Sequence, residues 1–140
     1  MATFLRTLAS DKSSSGPAGW ALALLRIGLG LGLLLGHGWP KLMSFTERSG
    51  SFADPLGVGS LVSLILAIFA EVFCAALVTA GLFTRLAAIP AAFTMGVVVF
   101  VLNHGAVFGK AELAAAYGLG FLALIIGGGG NLSLGRLIRS

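Results

Sequence analysis

The sequence predicts an all-α membrane protein: four transmembrane helices in an antiparallel up-down bundle, with both termini cytoplasmic. Three observations carry this. Of 140 residues, 57% are hydrophobic and only 10% charged, against about a quarter charged in a soluble domain. The apolar residues fall into four blocks suited to crossing ~30 Å of hydrocarbon at ~1.5 Å per residue. Lysine and arginine are unevenly shared between the two sides. Arg6, Lys12, Arg85, Arg136 and Arg139 fall with the termini, and Lys41, Arg48 and Lys110 fall opposite. The richer side is read as cytoplasmic. A net charge of +4 without a basic cluster speaks for headgroup contact and against nucleic-acid binding.

Residues 1–19 are polar and rich in small residues, which predicts a flexible tail. The first span, 20–38, begins at Trp20 and is expected to end at Trp39-Pro40, with the two indoles as interface anchors. It is too long for the core of a signal peptide, contains Arg26 and lacks a small-x-small cleavage site. A polar loop over 40–59 holds Phe45 and Phe52, apolar enough to dip into the interface. The second span, 60–80, carries Glu71 and is followed by Gly81, suited to a helix C-cap. The third, 86–103, places Pro90 near its first turn. The fourth covers 111–127. Gly127 to Gly130 close the 20–130 bundle, and 131–140 reads as a short interfacial segment with Ser133 as N-cap.

Arg26 inside a spanning helix is costly and requires an answer. Counted from the cytoplasmic end, Arg26 lies roughly 9 Å deep and Glu71 roughly 13 Å deep on a helix running the other way. An Arg26–Glu71 ion pair is therefore expected, either fixing helix register or forming one end of a ligand site. Arg26, Gly30, Leu33, His37 and Lys41 share one helical face. Gly28, Gly32 and Gly36 form a small-xxx-small ridge on the other side, fit for a neighbouring helix or a second copy of the chain. His37, Lys41, His104 and Tyr117 fall near the side opposite the termini. They read as a polar cluster over a pocket or as ordinary interfacial residues. No metal site is assigned, since no ligand set has suitable spacing, and haem between the two histidines fails because both lie at one boundary. The single cysteine, Cys74, reads as a small apolar core residue. No catalytic residue is assigned.

These residues resemble the DoxX family of small bacterial membrane proteins. The resemblance rests on Leu25-Arg26-Ile27-Gly28 and Gly36-His37-Gly38-Trp39-Pro40-Lys41-Leu42, then on Glu71 and Gly81-Leu82-Phe83-Thr84-Arg85-Leu86-Ala87. It continues through Asn103-His104, Lys110-Ala111-Glu112-Leu113, Tyr117 and the Asn131-Leu-Ser133-Leu tail, where Gly135 replaces an expected aspartate. The resemblance implies a multi-pass protein of the bacterial inner membrane. It further implies an accessory subunit of a quinone-linked redox or oxidative-stress complex, with quinone as the ligand and a membrane redox partner. Any part in catalysis would be as a subunit of an oxidoreductase. The competing expectations are a non-enzymatic scaffold or membrane chaperone, and a small-solute or proton transporter, for which four spans are few.

Overall fold

The computed structural model describes residues 1–9 and 15–138. Among them the chain is helical throughout, without strands: α1 (Ala2–Ala9), α2 (Gly16–Met43), α3 (Phe45–Arg48), α4 (Ser60–Ala80), α5 (Thr84–Leu102), α6 (Glu112–Gly127) and α7 (Leu134–Ile138). Helices α2, α4 and α5 are long and apolar enough to span a membrane. Helix α6 is equally apolar, but its 16 residues reach only about 24 Å. The Gly128–Gly130 segment, buried behind its end, continues into the bundle.

The four long helices pack α2 against α4, α4 against α5, α5 against α6 and α6 back against α2. The centre is built from small residues: Ala75, Ala87, Ala88 and Ala91 beside Leu33, Cys74, Val78, Met95, Phe121 and Leu124. Small side chains bring backbones close, the main source of helix association where lipid is as apolar as leucine. Large apolar residues such as Leu24, Phe93, Phe100, Leu119 and Ile126 point outward, where hydrocarbon receives them. At Gly38, an added Cβ would sit 2.6 Å from the Glu71 carbonyl carbon and 2.8 Å from Val72 Cγ2. Only glycine allows this approach of α2 to α4.

Three spans change pitch to π-helix, at Leu34–Gly38, Phe69–Cys74 and Val97–Leu102. The first explains why the expected stop at Trp39-Pro40 fails. Proline lacks an N–H and crowds the carbonyl four residues earlier. The wider turn before it, in which the Trp39 N–H donates to the Leu34 carbonyl, lets α2 restart with Pro40 in its first turn and run on to Met43. Helix α5 begins at Thr84, so Pro90 lies inside it, beyond the first turn.

The two ends also depart from expectation. Residues 2–9 are helical, with Phe4 and Leu5 exposed, and α1 packs on α5. The Asp11, Lys12, Ser13 and Ser14 stretch of the expected tail lies outside the described residues, as does Arg139. Ser133 precedes α7 but does not cap it through its side chain. Its hydroxyl, fully buried, donates 2.7 Å to the Gly81 carbonyl, which also accepts the Gly135 N–H at 3.0 Å. The 131–135 segment is thus docked into the bundle end through Ser133 and Gly135, while Leu132, Leu134, Leu137 and Ile138 face outward.

Candidate functional site

Arg26 is 1% exposed and is answered by backbone carbonyls. Its Nε donates to Gly129 O at 2.6 Å and its Nη2 to Leu132 O at 2.7 Å. Nη1 donates to Thr79 O, and longer contacts of 3.4 Å reach Val78 O and Asn131 O. Val78 and Thr79 belong to the last turn of α4, whose carbonyls carry the negative end of the helix dipole; the Val78 carbonyl also accepts the Gly81 N–H at 3.1 Å. The guanidinium therefore caps α4 and gathers the 129–132 segment beneath it. Gly81 ends α4 in the left-handed conformation, φ 72°, as its position predicts. A Cβ there would lie 2.9 Å from Arg26 Cζ, so residue 81 must be glycine on two counts.

The expected Arg26–Glu71 pair does not form. Gly30 faces Ala75 and Thr79, and Gly38 faces Glu71, so Arg26 stands level with the end of α4. Glu71 lies twelve residues of α2 away, at the level of Gly38, about 18 Å along the axis. Its partner is Lys41: Nζ approaches Glu71 Oε2 to 2.6 Å and also donates to His37 O at 3.4 Å. Their side chains are 18% and 5% exposed respectively. The expected helix stop at Trp39-Pro40 puts Lys41 in a loop. The continuation of α2 carries it to the level of Glu71, on the same face as Arg26, Leu33 and His37.

The Lys41–Glu71 pair closes one end of a cleft of about 420 Å³ between α4 and α5. Its long walls are apolar, with Leu66, Phe69, Phe93 and Val97 among them, and its fourth side is the loop segment Phe52–Leu56. Asp54 holds that loop. Its carboxylate accepts from the Ser63 hydroxyl at 2.8 Å, the Gly59 N–H at 2.8 Å and the Val58 N–H at 2.9 Å. Through the Ser63 hydroxyl the loop is also tied to the first turn of α4. The Ser63 hydroxyl, and next the Gly59 N–H, hold the Asp54 carboxyl below the usual carboxylate range. Neither Asp54 nor Ser63 stands out in the sequence; an acid six residues before an apolar run is a weak signal.

The rest of the expected polar cluster separates. His37 and Tyr117 meet edge to face, centroids 6.0 Å apart, and Tyr117 stacks on Phe121 at 6.2 Å. His104 sits exposed in the loop after α5 with φ 51°, and no hydrogen bond or ring contact joins it to His37, Lys41 or Tyr117 among the described residues. The glycine ridge divides as well. Gly32 lies against Tyr117, whereas a Cβ at Gly28 or Gly36 would meet nothing within 4 Å. Three His, Cys, Asp or Glu side chains do not come together anywhere among the described residues.

The family model for DoxX matches residues 21–104, from the first turns of α2 to the end of α5. The chain belongs to the DoxX family. The matched segment contains Arg26, His37, Lys41, Glu71 and the whole lining of the cleft, so the architecture described above is that of a DoxX membrane protein. No curated protein and no solved structure matches the chain.

Proposed function

We propose that this DoxX protein is an accessory subunit of a quinone-linked redox or oxidative-stress complex of the bacterial inner membrane. The α4–α5 cleft receives the quinone head group against Lys41 and Glu71. One observation carries the reading: a partly buried, hydrogen-bonded ion pair lies in a largely apolar cleft, with Ser63 and Thr94 the other polar residues of its lining. Ionisable groups at membrane depth mark ligand or proton sites by default, and such a site takes a largely apolar molecule oriented by a few polar groups. Glu71 also lies in a π segment, a distortion frequent at functional sites. One cysteine and two histidines are few ligands for an electron-carrying centre, so the redox chemistry falls to a partner in the membrane. The lysine and arginine count favours termini in the cytoplasm, with the cleft toward the periplasmic side.

The test is extraction of the protein with its native lipids, followed by native mass spectrometry. Bound quinone is expected in the parent and at least tenfold less in Glu71→Gln and Lys41→Met. Absence of quinone from the parent, with quinone-linked respiration unchanged on deletion, refutes the reading. The open notches at Gly28 and Gly36 favour a second reading, a non-enzymatic scaffold that docks a helix or a second copy there. In that case the Lys41→Met/Glu71→Met double variant keeps its function and Gly36→Leu loses it.

A further inference from the structure

The cleft has a directional hydrogen-bonding demand at its polar end. A lysine ammonium offers three donors and a carboxylate four acceptor positions. Lys41 directs donors to Glu71 Oε2 at 2.6 Å and His37 O at 3.4 Å, leaving one for a ligand. Glu71 Oε1 receives no hydrogen bond from any described residue, and Glu71 lines the cleft. The pair is neutral as a unit, so a free anion gains from Lys41 what it loses to Glu71, and a free cation the reverse. What the two groups satisfy together is a neutral head group that accepts from Lys41 and donates to Glu71. Access is from the side: Leu66, Phe69 and Phe93 at the cleft wall are among the outward-facing apolar residues, so a ligand dissolved in the bilayer reaches the pair without crossing water.

We infer that the cleft selects a hydroxyl-bearing, lipid-soluble head group and therefore holds a quinol in preference to the corresponding quinone. The inference rests on the quinone-linked reading above and adds the redox form to it. A quinol places its hydroxyl proton on Oε1 while its oxygen accepts from Lys41. A quinone accepts from Lys41 but covers Oε1 without a donor, and burying an unpaired charged acceptor is costly. One charge-assisted hydrogen bond, gained in one case and missing in the other, corresponds to at least about tenfold in affinity.

The experiment titrates the full chain, in lipid nanodiscs under argon, with decylubiquinol and with decylubiquinone. Quinol binding about tenfold or more tighter is expected. In Glu71→Gln the carboxamide can itself donate to a quinone carbonyl, so the preference should shrink or invert. Equal affinities in the parent, tighter quinone binding, or a quinol preference unchanged in Glu71→Gln overturns the inference while leaving the quinone-linked function standing. Failure of both forms to bind the parent overturns that function too. The comparison within the parent decides the matter even if Glu71→Gln does not fold.

Discussion

Replacing Arg26 by methionine isolates the carbonyl clamp, because methionine keeps the helix propensity and much of the length but supplies no donor. Three close bonds disappear, to Gly129, Thr79 and Leu132, together with two weak ones at 3.4 Å. At about 1.5–3 kcal/mol for a hydrogen bond to a charged group, the gross loss is about 5–9 kcal/mol. Removing the buried charge also removes its desolvation cost, and the freed carbonyls can relax. The net expectation is about 3–5 kcal/mol, the range typical of breaking a buried charge interaction. For a chain of this size that is a drop of roughly 10–20 °C in melting temperature, measured by thermal unfolding in detergent. Hydrogen exchange should rise over residues 128–135, the segment held by the guanidinium, while α5 stays protected. Glu71→Gln should leave exchange at 128–135 unchanged, and the two substitutions should add to within about 0.5 kcal/mol, as distant sites do. An Arg26→Met protein melting within about 2 °C of the parent with unaltered exchange at 128–135 would refute the clamp. A strong coupling to Glu71 would refute the register that separates them.

The glycines of α2 should divide by neighbour. Gly38→Ala forces a Cβ onto the Glu71 backbone and is expected to cost about 1–3 kcal/mol or more, whereas Gly28→Ala and Gly36→Ala should be neutral or stabilise by up to about 1 kcal/mol; parallel melts in detergent check both. If either of the latter shifts the protein to a smaller species on size exclusion, a second copy docks on that face. For Asp54, the folded carboxyl titrates below its unfolded value of about 3.9. Its contribution is therefore present above that pH and lost as pH falls through the lower folded value. The amide resonances of Val58 and Gly59 should shift together in that acid range and be displaced at neutral pH in Asp54→Asn; titration at or above the ordinary value contradicts the clamp.

The spans were legible because length and hydropathy are local properties, and so was Gly81, whose role follows from its place after an apolar run. The partner of Arg26 was not. Depth arithmetic matched it to Glu71 because both distances were counted from assumed helix ends, and carbonyls at the end of α4 leave no trace in residue type. Lys41 was misplaced for a related reason. Pro40 normally marks a stop, and a π turn that accommodates it is a feature of backbone pitch that no periodicity of side chains announces. The cleft depends on the same shift, since without Lys41 at depth Glu71 would lack its cation. His37 and Tyr117 touch in the structure, whereas His104, expected at the same level, does not join them, because its loop leaves it exposed.

The π turn at Leu34–Gly38 amounts to one residue more than an α-helix of the same height requires. Winding those same residues as regular α-helix, with none removed, would rotate everything after them by about 100° relative to the helix before. Arg26 would still cap α4, but Lys41 would turn away from Glu71 by that angle. The two charged centres of this protein are therefore set by separate counts along one helix. The pitch of one turn can disturb the second while sparing the first, so the cleft's ion pair depends on how Leu34–Gly38 is wound as well as on the lysine itself.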